Sequence, residues 1–191
     1  MFKGIKGEFK TFHNFIKIKG HGEKETDPNQ ITNIKTAEKC LYLTFDTCPT
    51  SEVDFEIVDF LIGNSIESTI FLNASWYYKN KHRNLSFLKN PLFAIGGHGF
   101  LHKRPLNQDY TEQRGDIIAC LDSLKLEIGI KPNRYRVPYG KPNEDTINIF
   151  REFNLKCASW AGHVFDKTDL EGDAVDDKAF FYLKHFTIPG D

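Results

Sequence analysis

Phe93-Ala94-Ile95-Gly96-Gly97-His98-Gly99-Phe100-Leu101-His102 is the stretch from which the rest of the chain can be read. Its first half has the length and composition of a short buried strand, and His98 and His102 follow four residues apart at that strand's end. Histidine is the commonest metal ligand, and a pair at this spacing can face one ion if the segment is helical or turned. Two unrelated polar histidines are the competing reading. The Gly96-Gly97 pair allows close backbone approach and weighs against a purely core role.

Working outward, the preceding apolar run Ser68-Thr69-Ile70-Phe71-Leu72-Asn73 reads as another strand, followed by a polar-aromatic helical segment over 74–88. Earlier still, Cys40-Leu41-Tyr42-Leu43-Thr44-Phe45-Asp46 is rich in strand formers and ends at an acid and a turn, Thr47-Cys48-Pro49-Thr50-Ser51. Thr50 or Ser51 is placed to cap a helix with Val53, Ile57, Val58, Phe60 and Leu61 at helical spacing, stopped by Gly63-Asn64. Downstream, 111–128 is the clearest helix, with Ile117, Ile118, Leu121 and Leu124 on one face and Gly129 at its end. A strand over 134–137, a turn at Pro138-Tyr139-Gly140, a helix over 144–153, a strand over 155–160 and a helix over 177–186 complete the series.

Alternating strands and helices with short connections predict an α/β protein with a mainly parallel sheet, either doubly wound or curled into a barrel. In both forms the chemistry belongs at the C-terminal ends of the strands. Asp46, His98, the segment from Arg136 to Gly140 and Trp160 all fall at such ends. Residues 1–38 are lysine- and glycine-rich and are expected to form an irregular lead-in, leaving 39–191 as one domain.

Composition narrows the function classes. The chain has 191 residues, 40% hydrophobic and 14% aromatic, enough for one well-buried core. A formal net charge of -1 with interspersed signs gives no global drive toward nucleic acid or an anionic membrane. No run approaches the roughly 18 apolar residues of a membrane span, and no apolar h-region follows the N-terminal lysines. Cys40, Cys48, Cys120 and Cys157 lie apart without a C-x-x-C pair. These features tilt the expectation toward a soluble protein of a reducing, cytoplasmic compartment, with His13 and His21 as surface side chains.

In order and content these segments resemble the polysaccharide deacetylases, the NodB-type family of carbohydrate esterases (family 4), whose fold is a distorted, incomplete (β/α) barrel. Thr44-Phe45-Asp46-Thr47-Cys48-Pro49 stands where that family has T-F-D-D-G-P. His98 and His102 match both histidines of H-[ST]-x-x-H, with Gly99 at the Ser/Thr position, and Arg136-Val137-Pro138-Tyr139-Gly140 matches R-x-P-Y-G in full. Ser68 to Trp76 is similar to A-T-F-F-V-x-G-x-W, and Cys157-Ala158-Ser159-Trp160 to a strand ending in tryptophan.

The resemblance implies a metal-dependent hydrolase of linear C–N amide bonds that removes N-acetyl groups from a polysaccharide or peptidoglycan sugar. It implies a divalent metal, zinc above all, on His98 and His102, with Asp46 as general base and Arg136 holding an acid in place. Tyr139 would offer its backbone N–H to the oxyanion, while Pro138 and Trp160 would border the substrate. The alternative is a catalytically inactive deacetylase-like carbohydrate-binding protein.

Two departures matter. The family's second aspartate, a metal ligand, is replaced by Thr47, and neutral threonine oxygen is a poor zinc ligand. Asp46 ligating directly is the leading expectation; Cys48 as a soft thiolate, or a weakly filled or empty site, are the others. A family branch with D-A-C in this motif is the nearest in pattern. The family's general acid, a histidine after a further strand, would fall beyond Asp191, so the chain is expected to be a truncated form of low activity. His163 and His185 are the weaker substitutes.

Overall fold

The computed structural model describes residues 30–31, 42–50 and 55–159. The expectations that concern His13, His21, Cys40, the Ser51 cap, Trp160, His163, the helix over 177–186 and His185 lie outside the described residues. Among the described residues six strands form one sheet: β1 (Gln30–Ile31), β2 (Thr44–Asp46), β3 (Ser68–Leu72), β4 (Phe93–Gly97), β5 (Arg134–Tyr135) and β6 (Lys156–Ala158). Their order is β1-β6-β5-β4-β3-β2, and every pairing is parallel. The sheet curls into an incomplete (β/α) barrel, one of the two forms that the alternating pattern allows and the one that the family resemblance implies.

Parallel strands covered on both faces read as continuous apolar runs. β3 is the plainest case, with four of its five residues buried, Phe71 and Leu72 among them. Four α-helices pack around the sheet among the described residues: α1 (Phe55–Gly63), α2 (Ala74–Asn80), α3 (Tyr110–Ile128) and α4 (Glu144–Glu152). α3 buries Ile117, Cys120, Leu124 and Ile128. Its start is fixed by a capping box, in which the Asp109 carboxylate accepts from Glu112 N and the Glu112 carboxylate accepts from Asp109 N. Gly129 ends it with φ of 79°.

Three expectations change. The helix over 74–88 stops at Asn80, whose side chain donates to Trp76 O while Arg83 N closes a turn onto Asn80 O. Asparagine competes for backbone partners in this way, and Ser86–Lys89 follows as a separate short 3-10 turn. The strand expected at 134–137 is shortened to Arg134–Tyr135, which pair with Lys156 and Cys157 of β6 while Tyr135 also pairs with Gly97 of β4, because Pro138 opens a turn directly afterwards. On α1, Leu61 faces the core but Ile57 and Phe60 point outward and are exposed.

The parallel register brings the strand ends together. Asp46 pairs with Phe71, Leu72 with Gly97, Gly97 with Tyr135, and Tyr135 with Cys157. Residues just past these positions therefore share one rim.

Candidate metal centre

β4 delivers His98 to that rim with its backbone N–H on Leu72 O at 3.0 Å, and the residue is only 2% exposed. The turn that follows is not helical. Gly99 has φ of 77° and His102 φ of 56°, and these two left-handed residues fold the segment back so that both rings meet. The two Nε2 atoms lie 3.2 Å apart, and the ring centroids 5.0 Å apart. A Cβ on Gly99 would come within 3.1 Å of both Asp116 Oδ2 and Pro138 Cγ, so glycine suits this position where the resembling family has Ser or Thr.

Second partners orient the first ring. His98 Nδ1–H donates to Arg136 O at 2.8 Å, which leaves Nε2 with its lone pair aimed at the rim. Burial lowers the pKa of His98, against the opposing pull of Asp46. His102 is lowered to about 4, by burial first and by His98 second. Both are thus neutral near pH 7, the form in which imidazole binds a metal.

Asp46 ends β2 at the same rim. Its Oδ1 accepts from Arg136 Nη1 at 2.7 Å, and its Oδ2 lies 3.8 Å from His98 Nε2. Arg136 is 4% exposed, and its guanidinium also donates to Thr44 Oγ1 at 2.9 Å and to Ser159 O at 3.0 Å. It lies over the Phe71 ring, 4.1 Å from the centroid. Thr47 Oγ1 accepts from Asn73 N at 2.8 Å. Cys48 Sγ is 3.4 Å from His102 Nε2, and the donor atoms of Cys48, His98 and His102 all lie within 4.8 Å of one another.

This donor set fits a metal ion. Two nitrogens bound to one tetrahedral zinc at ordinary bond lengths stand about 3.3 Å apart, close to the 3.2 Å observed between the histidines. A thiol and two neutral imidazoles are, moreover, donors that zinc accepts.

Tyr139 stands next to the centre with φ of 63°, its ring 5.0 Å from that of His102 and 4.0 Å from the Arg104 guanidinium. Pro138 is buried at the start of this turn. The structure therefore brings together Asp46, His98, His102, Arg136, Pro138 and Tyr139, while Trp160 lies outside the described residues.

Two residues that hold the site were not singled out by the sequence. Asn73 caps α2 through its Oδ1 and donates through Nδ2 to His98 O at 3.1 Å and Gly99 O at 2.8 Å. Asp116, on α3, accepts from Phe100 N at 2.9 Å and Leu101 N at 2.8 Å. A cap signal was available for Asn73, but nothing distinguishes Asp116 from other acids on α3 such as Glu112 and Asp122.

A family model described as polysaccharide deacetylase matches residues 33–158. Among curated relatives, a peptidoglycan-N-acetylglucosamine deacetylase of Bacillus cereus is 27% identical over 136 residues, covering 70% of this chain and 48% of the relative. The enzyme of that name from Listeria monocytogenes is 25% identical over 135 residues, 69% of this chain and 27% of its own. The chain thus spans about half or less of the length of these curated relatives. Solved structures share the fold. The peptidoglycan deacetylase PdaC of Bacillus subtilis superposes with a TM-score of 0.64 at 22% identity, covering 83% of this chain and 73% of that one. A CE4 family pseudoenzyme from Bacillus anthracis gives 0.67 at 17% identity, with 82% and 55% covered.

Proposed function

We propose that this chain, which belongs to the polysaccharide deacetylase family, contributes the metal centre and base of a hydrolase that removes N-acetyl groups from a polysaccharide, with peptidoglycan sugars as the first substrate to test. The observation that carries the reading is the shared rim. There His98 and His102 converge to 3.2 Å while Asp46 is held beside them by a buried arginine. The curated relatives named for peptidoglycan N-acetylglucosamine support the choice of substrate.

His98 and His102 would hold a divalent ion, which when bound would supply Lewis acidity toward the amide carbonyl and the attacking water. The chain's own groups do the rest. Arg136 occupies Asp46 Oδ1 and leaves Oδ2 facing the histidines, so Oδ2 is the atom that takes the proton from the attacking water. The fixed guanidinium keeps that carboxylate oriented beforehand. Tyr139, on its left-handed turn beside His102, offers its backbone N–H to the oxygen that becomes negative, where a correctly aimed donor contributes several kcal/mol, about 3 in comparable cases. Pro138 and, from the family resemblance alone, Trp160 are the residues expected to border the sugar. Water and the N-acetyl group leave as acetate and a free sugar amine.

The second reading, a carbohydrate-binding protein without catalysis, draws on one observation. Thr47 stands at a position where the family carries an acid, and its hydroxyl accepts from Asn73 N. Acetate release from peptidoglycan and from chitooligosaccharides, with zinc, cobalt or nickel added, separates the two. Release that falls by about 100-fold or more in Asp46→Asn, as loss of a general base predicts, supports the enzyme. Retained sugar binding with no acetate at any metal supports the silent form.

A further inference from the structure

We propose that Cys48 is the third protein ligand of this centre, so that the site is a Cys-His-His thiolate site selective for zinc and cobalt over magnesium and manganese. The inference rests on the reading of His98 and His102 as a metal-holding pair.

Elimination at the turn after β2 carries the first half. Thr47 Oγ1 is engaged by Asn73 N at 2.8 Å, and Thr47 N donates to Phe71 O at 3.1 Å, which anchors this residue to the end of β3. Asp46 is engaged through Oδ1 by Arg136, so its charge is already compensated by a buried guanidinium. Cys48, the next residue, is half-buried and brings its sulfur to 3.4 Å from His102 Nε2. In a tetrahedral zinc site a nitrogen and a sulfur ligand stand about 3.6 Å apart, so this separation and the 3.2 Å between the histidines match two edges of such a tetrahedron, with the third donor separation within 4.8 Å. Cys120 and Cys157 are buried in the core and play no part; burial pushes the Cys120 thiol up to about 12.

Ligand chemistry carries the second half. Thiolate with two imidazoles is a soft to borderline set, which favours zinc and cobalt, whereas oxygen-only sets suit magnesium and manganese. Three protein ligands leave a fourth position open, the arrangement of catalytic rather than structural zinc sites. Replacing an acid by a cysteine one residue later thus preserves one negative charge at the centre and changes which ions it retains. Asp46 is thereby left to act as base and not as ligand.

The full chain, stripped with chelator, is titrated with cobalt(II). One equivalent should bind and produce the near-ultraviolet sulfur-to-cobalt charge-transfer band of a thiolate ligand, and excess magnesium should not remove it. Cys48→Ser should lose that band and weaken zinc binding by more than the about 10- to 100-fold that loss of an outer-shell partner costs. Asp46→Asn should keep the band. If Cys48→Ser fails to fold, alkylation of the wild-type protein decides: zinc should slow the reaction of Cys48 with iodoacetamide at least about tenfold, magnesium not at all. Cobalt bound without the band, a band that survives Cys48→Ser, no cobalt uptake, or no protection by zinc would each overturn the assignment. A thiolate band without acetate release would instead count against the deacetylase reading and leave this one standing.

Discussion

At the level of single residues, the centre depends on side chains that touch no ligand. Asp116 holds two consecutive amides of the turn between the histidines, and hydrogen bonds to a charged group contribute about 1.5–3 kcal/mol each. Asp116→Ala should therefore lower unfolding stability by about 2 kcal/mol and weaken zinc binding about tenfold, as loss of an outer-shell group does. Urea unfolding of chelator-treated protein and competitive zinc titration check the two halves. Wild-type affinity in the variant would show that the turn holds its shape without the carboxylate. Much of the site is legible in the sequence because His98, His102, Asp46, Arg136 and Tyr139 sit in ordered segments at strand ends. Asp116 is not, because it works through backbone atoms of a distant segment, and such a bond leaves no mark in local composition; the cap signal at Asn73 likewise gives no hint of its bonds to His98 O and Gly99 O. Cys48 is visible as a departure from the pattern, but only the turn of Thr47 toward Asn73 gives it a place.

Among the elements, β4 is the one whose sequence leaves least room. A Cβ at Gly96 would lie 2.5 Å from Phe71 Cδ1, and at Gly97 2.6 Å from Tyr135 Cδ2. Both rings are almost fully buried, so neither can swing aside freely. Gly96→Ala should cost about 1–3 kcal/mol through overpacking. It should also shift Phe71, on which the Arg136 guanidinium rests. The expected result is a lower thermal midpoint together with reduced acetate release, and an unchanged midpoint would mean that Phe71 repacks. β2, β3 and β4 are readable beforehand because buried parallel strands are short apolar runs, and α3 because it carries a helical stripe ended by a glycine, whereas β1 at Gln30–Ile31 lies in the stretch expected to be irregular. α2 is overextended in that reading, because a helical polar-aromatic pattern does not reveal that Asn80 will turn back on Trp76 O. The outward placement of Ile57 and Phe60 on α1 is a matter of helix rotation, which spacing alone leaves undetermined.

For the whole molecule, the centre exists only when the sheet does. Its groups come from the ends of β2, β4 and β5, from Asp46 to Arg136, and no local segment contains them all. Metal should accordingly stabilise the global fold and bind the unfolded chain much less well. Zinc at about 100 times its dissociation constant should add about 2.7 kcal/mol to unfolding stability, read as a rise in thermal midpoint that Cys48→Ser and His98→Ala largely abolish. An equal rise in His98→Ala would place the ion elsewhere. No helix among the described residues is long and apolar enough to cross a membrane.

Arg136 joins β2 through Thr44 and Asp46, reaches Ser159 after β6, and gives its carbonyl to His98. One side chain and its own peptide thus tie β2 to the segment after β6 and set the positions of Asp46 and the His98 ring. A change of this side chain is therefore expected to loosen the link between the two strands and the placement of Asp46 together, so that stability and the geometry of the rim cannot be altered separately at this position.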